Sequence, residues 1–331
     1  MSDFAGLQDR VPLLHRITLP TPFAVGPVHT YLAEGDPLTL IDTGLDTEDA
    51  MAALHAGLAE QGYMLSDIER IVITHSHVDH YGLAHRIAAA GNAEIVAHPL
   101  AQPILEDWPD SRTQRERFGY DLLRSAGVLE ELVTRTSKSL RSYDLFQRPV
   151  QLTGLLEDGA TLAMAGADWQ VLYCPGHAAD LICFYEPVSR VLIGNDHLLA
   201  HISSNAIVSA PPLGESVRRR PLIDYWQSLR RVAAMDVALT LTGHGEAVTD
   251  TRTLIDQRFA FHQRRLARLV ELLAGGSQTV WQLAMGLLPR MGANDTFLAV
   301  SEVVGHLDVL AAEGRVTAET DNRGVWRYAA A

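Results

Sequence analysis

The feature that most constrains this chain is a β-branched run, Ile71-Val72-Ile73-Thr74, followed at once by His75-Ser76-His77-Val78-Asp79-His80. Such a run is the signature of a buried strand. Core packing does not favour three imidazoles and a carboxylate within six residues. Metal binding does: imidazole suits zinc and iron, and a carboxylate adds charge neutralisation. His75 and His77 alternate, so both can reach one metal. Asp79 and His80 fall on the turn that opens the next helix, offset toward a second metal.

The chain around this motif alternates short apolar runs with helical ones. Strands are expected over 28–32, 38–41 and 94–97, and a helix from Thr47 to near Gly62 with Asp49 in its first turn. A second helix is expected over 81–90, stopped by Gly91. Residues 99–148 turn Arg/Glu/Leu-rich and read as a helical insertion, either a lid over the site or a structural excursion. Strands return over 162–165, 169–174, 181–185, 191–193 and 237–241. This is α/β organisation with polar clusters at strand ends. Past Asp250 the pattern predicts a long helix over 251–273, helices over 279–287 and 296–313, and a hairpin around Asp321-Asn322-Arg323-Gly324. Helix, helix, hairpin is the outline of a winged helix. The expected division is 1–250 and 251–331.

Three later features extend the cluster. Pro175-Gly176-His177, Gly194-Asn195-Asp196 and Thr242-Gly243-His244-Gly245 each place one ligand-type residue beside glycine at a strand end. In this order they make the chain resemble the metallo-β-lactamase-fold hydrolases, over about residues 25–250. The resemblance implies a four-layer αββα sandwich and a ligand set. His75, His77 and His177 would hold one metal, and Asp79, His80 and His244 the other. Asp196 would bridge them, and Asp42 would orient a ligand by hydrogen bonding. The outline past residue 250 is similar to that of the β-lactamase-like endoribonuclease group. The stretch 196–203 resembles it too, with Ala200 where proline is expected.

The chemistry expected of two metals about 3.5–4 Å apart is a bridging hydroxide that attacks a carbonyl or phosphorus, with Asp79 orienting it and shuttling its proton. A His/Asp donor set suits zinc and also accepts iron or manganese. Cys174 reads as a buried thiol. His85 is a candidate for a supporting role; His197 and His201 flank Asp196 in sequence, and His201 is a candidate for substrate contact. His15, His29, His55, His98, His262 and His306 show no companion ligands, and Arg218-Arg219-Arg220 reads as a solvated turn before a helix.

Two functions compete: hydrolysis of a small ester, thioester or lactone, and a metal-dependent endoribonuclease that holds nucleic acid on the winged helix. Charge separates them. The chain carries −13 overall, while residues 251–331 hold nine arginines against eight acidic residues, leaving −14 for the rest. Neither part is the basic surface that phosphate binding requires, so the small-molecule hydrolase is favoured. The two cysteines offer no disulfide framework. The N-terminal decapeptide lacks a leader's basic and apolar regions, and no run reaches the ~20 apolar residues of a membrane span. A cytoplasmic protein, without a membrane partner and with oligomerisation open, is the expectation.

Overall fold

The alternation of side chains along each strand builds two sheets that face one another. The computed structural model of the chain describes residues 6–290, 292 and 295–331; residues 1–5, part of the stretch read for a leader, lie outside them. The first sheet holds β1 (Leu14–Leu19), β2 (Val28–Ala33), β3 (Thr39–Ile41), β4 (Arg70–Ile73), β5 (Glu94–Ala97) and β6 (Gly154–Leu155), side by side in chain order. β1, β2 and β3 pair antiparallel, and β3 through β6 parallel. The second sheet holds β7 (Thr161–Met164), β8 (Ala167–Tyr173), β9 (Ile182–Glu186), β10 (Val191–Asn195) and β11 (Leu239–Thr242). It is a meander apart from the parallel β10–β11 pair, which the helix Pro221–Ala233 connects.

Period two decides where each apolar residue goes. Val72 of β4 joins Ile41, Phe184, Ile193 and Leu241 between the sheets. Its neighbours Ile71 and Ile73 pack outward on Leu54, Leu58 and Ile87 from the helices Glu48–Glu60 and Ala84–Gly91. On the far side, Leu172, Cys174, Cys183 and Leu192 pack on Leu222, Tyr225 and Leu229 of the helix Pro221–Ala233. Helices therefore cover the outer faces of both sheets, and the strands read as unbroken apolar runs because both their faces are buried.

The structure departs from the sequence expectations locally, the short strands β6 and β12 included. β1 is absent from those expectations, because His15-Arg16 interrupts the apolar alternation of this edge strand. The helix expected over 81–90 is two helices, Val78–Tyr81 and Ala84–Gly91, so Asp79 and His80 sit inside a helical turn. That helix ends at Asn92, which takes the left-handed conformation (φ 56°). Gly91 serves close packing instead: a Cβ there would lie 2.5 Å from the Ser66 carbonyl oxygen.

Residues 99–146 are largely helical, including Pro109–Ser125 and Glu130–Ser142. The C-terminal segment comprises the helix Thr251–Leu273, β12 (Gln278–Thr279), the helices Val280–Leu287 and Thr296–Ala312, and the hairpin β13 (Val316–Thr320) and β14 (Trp326–Ala330), with strand order β12-β14-β13. Its described residues form no separate core. Leu266, Leu283, Val303 and Leu307 share one apolar cluster with the outer face of the second sheet and with Leu122, Leu123 and Val133 of the 99–146 stretch. The backbone N–H of Trp281 donates to Ala126 O at 2.9 Å across that junction.

A buried polar chain pins the two long C-terminal helices together. Ser203 Oγ donates to His262 Nε2 (3.4 Å), His262 Nδ1 to His306 Nε2 (3.2 Å), and His306 Nδ1 to Glu302 O (2.7 Å). Both rings are neutral in this arrangement. Burial, helped by His306, Arg265 and Arg258, lowers the His262 pKa from 6.5 to about 3. Burial also lowers that of His306, against the opposing pull of Glu302. The unfolded chain takes up a proton near 6.5 that the folded chain refuses until about 3, so this stability is full above about pH 6.5 and drains away as pH falls. The melting temperature is expected to drop between about pH 7 and pH 4, and less steeply in a His262→Phe variant. A slope that His262→Phe leaves unchanged would show that other groups set it.

Candidate metal centre

The C-terminal ends of β3, β4, β8, β10 and β11 open on one edge of the sandwich, and the loops there carry Asp42, the 75–80 motif, His177, Asp196 and His244. The seven ligand candidates converge. Nitrogens of His75, His77 and His177 lie within 4.8 Å of one another, and so do donor atoms of His75, His80 and Asp196, and of Asp79, His80 and His244. The Asp196 carboxylate lies among them: its Oδ2 is 3.4 Å from His177 Nε2 and 3.6 Å from His244 Nε2, while its Oδ1 is 3.6 Å from His80 Nε2.

Hydrogen bonds on the far side of four rings fix which nitrogen faces the cluster. His80 Nδ1 donates to Asp42 Oδ2 at 2.7 Å. His177 Nδ1 donates to Asn205 O at 3.1 Å, and His244 Nδ1 to Pro27 O at 2.9 Å. His75 Nδ1 lies 3.1 Å from Thr74 Oγ1, whose proton goes to Asp42 Oδ2, so the ring donates there too. Each Nε2 is thereby the nitrogen that faces inward and is available to ligate. His75 Nε2 and His177 Nε2 both aim at His77 Nδ1, at 3.0 and 2.9 Å. Two buried atoms aimed inward, His80 Nε2 and Asp196 Oδ1, have no hydrogen-bond partner.

This arrangement fits divalent cations. Two donors each about 2.1 Å from a tetrahedral ion stand about 3.4 Å apart, close to the separations of Asp196 from His177, His244 and His80. The electrostatics agree. Burial, with the neighbouring imidazoles, lowers the pKa of His75 well below its ordinary value and that of His177 to about 3, which keeps both rings neutral and able to ligate. Burial opposes charge on Asp196 and Asp79, yet His80 and His244 hold Asp196 well below the usual carboxylate range, and His244 holds Asp79 below it. Burial likewise opposes charge on His80, but Asp196 and Asp42 outweigh it and raise its pKa. The pocket favours positive charge beside Asp196.

Other residues hold the loops, some of them without a local sequence signal. Asp180 Oδ2 accepts from the backbone N–H of Ser76 at 2.8 Å and so anchors the turn between His75 and His77; as a lone acidic residue after His177 it gave no pattern to notice. His29 Nε2 donates to Gly245 O at 2.8 Å, and Tyr31 Oη to Thr242 O at 2.6 Å, fastening the His244 loop to β2. His85 bonds to Gly82 O and lies 3.6 Å from Asp46. His197 is buried against the Tyr225 ring and is not among the grouped donors. His201, the candidate substrate contact, is exposed and pairs with Glu246 at 3.0 Å. Cys174 and Cys183 are both buried thiols. His262 and His306, read as lacking companions, lie close enough to Glu302 to form a second donor group. Helix packing joins residues 44 positions apart, which no local spacing reveals. Glu302 is already ion-paired with Arg265, and the rings satisfy one another, so hydrogen bonding accounts for that group.

The match to known proteins is broad. The model of the metallo-β-lactamase superfamily matches residues 24–244, two thirds of the chain and the span within which the seven candidate ligands lie. The chain belongs to the metallo-β-lactamase superfamily. A probable metallo-hydrolase, YqjP, of Bacillus subtilis is 37% identical over 311 residues, covering 94% of this chain and 96% of that one. The crystal structure of the metallo-β-lactamase family protein TTHA1429 from Thermus thermophilus superposes with a TM-score of 0.82 at 30% identity, over 97% of this chain and 99% of that one. A more distant relative, an atrochrysone carboxyl ACP thioesterase of Aspergillus fumigatus, is 23% identical over 156 residues, or 43% of this chain and 45% of its own length. Membership in this superfamily implies divalent metal ions, and the donors described above fit them.

Gly243 shows how tightly the site is built. A Cβ there would lie 2.2 Å from Asp196 Oδ1 and 3.1 Å from His80 Cε1. Gly243→Ala is therefore expected to displace Asp196 and lower bound metal severalfold, with circular dichroism and melting close to wild type. Elemental analysis of the purified variant reads this directly; unchanged metal content would mean that Asp196 does not ligate.

Proposed function

We propose that this superfamily hydrolase carries two divalent ions, held by His75, His77 and His177 and by Asp79, His80 and His244 with Asp196 between them, and cleaves a small carboxylic thioester, ester or lactone. The observation that carries the substrate side of this reading is a cavity of about 340 Å³. His77 and His177 lie on its wall, and Leu100, Pro103, Ile104, Leu140 and Tyr143 from the 99–146 stretch line much of the rest. Pockets of about 300–1,000 Å³ suit small ligands, and this one is at the lower limit. The thioesterase activity in a relative's name accords with an acyl substrate.

When bound, the ions supply a water acidified toward neutral pH and a Lewis acid for the substrate oxygen. The chain's own residues do the rest. Asp79 is ionised, and its Oδ2 lies 3.5 Å from His244 Nε2, where it can accept a proton from the attacking water and pass it to the leaving group. Asp42 and Asn205 hold His80 and His177 in the tautomers that ligation needs. The apolar walls from 99–146 lower the polarity around the site, which strengthens charge interactions there.

The winged-helix outline of the C-terminal segment serves packing in this reading. In such a module the helix before the hairpin enters the nucleic-acid groove. Here that helix, Thr296–Ala312, is buried on nearly every side. A His/Asp donor set suits zinc, with iron and manganese as competitors. A cytoplasmic setting accords with this chemistry, and no helix among the described residues is long and apolar enough to cross a membrane.

Elemental analysis should find about two divalent ions per chain, with turnover on at least one class in a panel of thioesters, esters and lactones. Chelation should abolish that turnover, and His77→Ala should remove both metal and activity. Asp79→Asn should keep more metal than His77→Ala while losing at least about a hundredfold in kcat. Robust RNA cleavage without ester or thioester turnover would overturn the substrate assignment.

A further inference from the structure

Two guanidinium groups line the same cavity and lack carboxylate partners. Arg115 projects from the helix Pro109–Ser125, and Arg219 lies two residues before the helix Pro221–Ala233. The arginines around them are paired. Arg218 makes two bonds of 2.7 Å to Asp308, Arg231 binds Asp158 at 2.6 Å, and Arg112 pairs with Asp107. Among the described residues, neither Arg115 nor Arg219 has a carboxylate within ion-pairing distance. Arg115 Nη1 donates to the neutral Ser111 Oγ at 2.5 Å. Arg219 Nε is buried with no hydrogen-bond partner.

Acidic residues attract them without pairing: Asp144 and Asp107 act on Arg115, and Asp224 on Arg219, none of them within ion-pairing distance. Asp180 accepts from the Ser76 backbone, and Asp144 accepts from Gln147 Nε2 at 2.7 Å. A half-buried guanidinium without an anion is unfavourable, and its planar fork matches carboxylate and phosphate oxygens. The reading of 218–220 as a solvated turn is corrected here: Arg218 is ion-paired and Arg219 faces a cavity.

We infer that Arg115 and Arg219 form an anion subsite of this cavity, so that the preferred substrate is an acyl compound bearing a carboxylate or phosphate at a distance from the bond that is cleaved. The inference rests on the hydrolase reading above and adds to it the charge of the substrate. Leu100, Ile104, Leu140 and Ile207 would hold the apolar chain between the subsite and the metal ligands His77 and His177. The anion can belong to the acyl group or to the leaving group, and the two sources are separable.

The test uses the metal-loaded full chain and four thioesters: butanoyl and glutaryl groups, each on N-acetylcysteamine and on coenzyme A. A carboxylate on the acyl group would make glutaryl-N-acetylcysteamine the better of the two phosphate-free substrates. A phosphate on the leaving group would make both coenzyme A esters better than their truncated forms. In either case Arg219→Gln and Arg115→Gln should reduce the preference for the anionic substrate about tenfold or more, and Arg219→Lys should restore part of it. Turnover of all four thioesters without preference would overturn the subsite and leave the hydrolase reading standing. If no thioester is cleaved, the hydrolase reading is what suffers, and calorimetry with glutarate and with inorganic phosphate still decides the subsite. Binding weakened about tenfold in both glutamine variants, with their metal content intact, supports it. Equal binding by wild type and variants overturns it.

Discussion

Asp42 is fully buried at the end of β3, where its backbone turns through the left-handed region (φ 59°) and sends the carboxylate back across the top of β4. Both oxygens are engaged there. Oδ1 accepts from the Thr74 backbone N–H and Oδ2 from Thr74 Oγ1 at 2.8 Å each, and Oδ2 also accepts from His80 Nδ1 at 2.7 Å. A buried carboxylate without these donors would be strongly unfavourable. With them, it fixes His80 directly and, through the Thr74 hydroxyl, gives His75 Nδ1 an acceptor. The interaction depends on the parallel register of β3 on β4, with Ile41 opposite Val72 and the Asp42 N–H on Val72 O. One strand pairing thus aims two of the four histidines whose tautomers the network sets.

The strand-end loops were legible in the sequence because strand and site coincide. A β-branched run ending in ligand-type residues marks both the buried strand and the place where its chemistry emerges, as at Ile73–Thr74 and at Gly194-Asn195-Asp196. The long helix over 251–273 was legible from amphipathic spacing, and Asp250 caps it by accepting from Thr253 N. What the sequence hid were contacts between distant segments. Asp180 supports Ser76 from 104 residues away, and His262 meets His306 only because two helices cross. Arg219 looked like one of three equivalent arginines, and only tertiary pairing distinguishes Arg218, bound to Asp308, from its neighbour in the cavity wall.

The C-terminal segment bears on the metal site from two sides. Asn205 Nδ2 donates to Leu298 O in the helix Thr296–Ala312 at 3.2 Å, while the carbonyl of the same Asn205 accepts from His177 Nδ1. A metal-ligand candidate is therefore steered by a residue that the C-terminal helix holds. On the opposite flank, Asp308 of that helix takes Arg218 in two hydrogen bonds and so positions the next residue, Arg219, on the cavity wall. Releasing the helix to meet a nucleic acid would expose Val300, Val303, Val304 and Leu307, each fully buried, and would loosen His177 and Arg219 together. Apolar burial at roughly 25 cal/mol per Å² makes that exposure expensive. The same packing that closes the outer core therefore argues that this segment is a buttress of the active site, and it ties the geometry of catalysis to the integrity of the chain's last quarter.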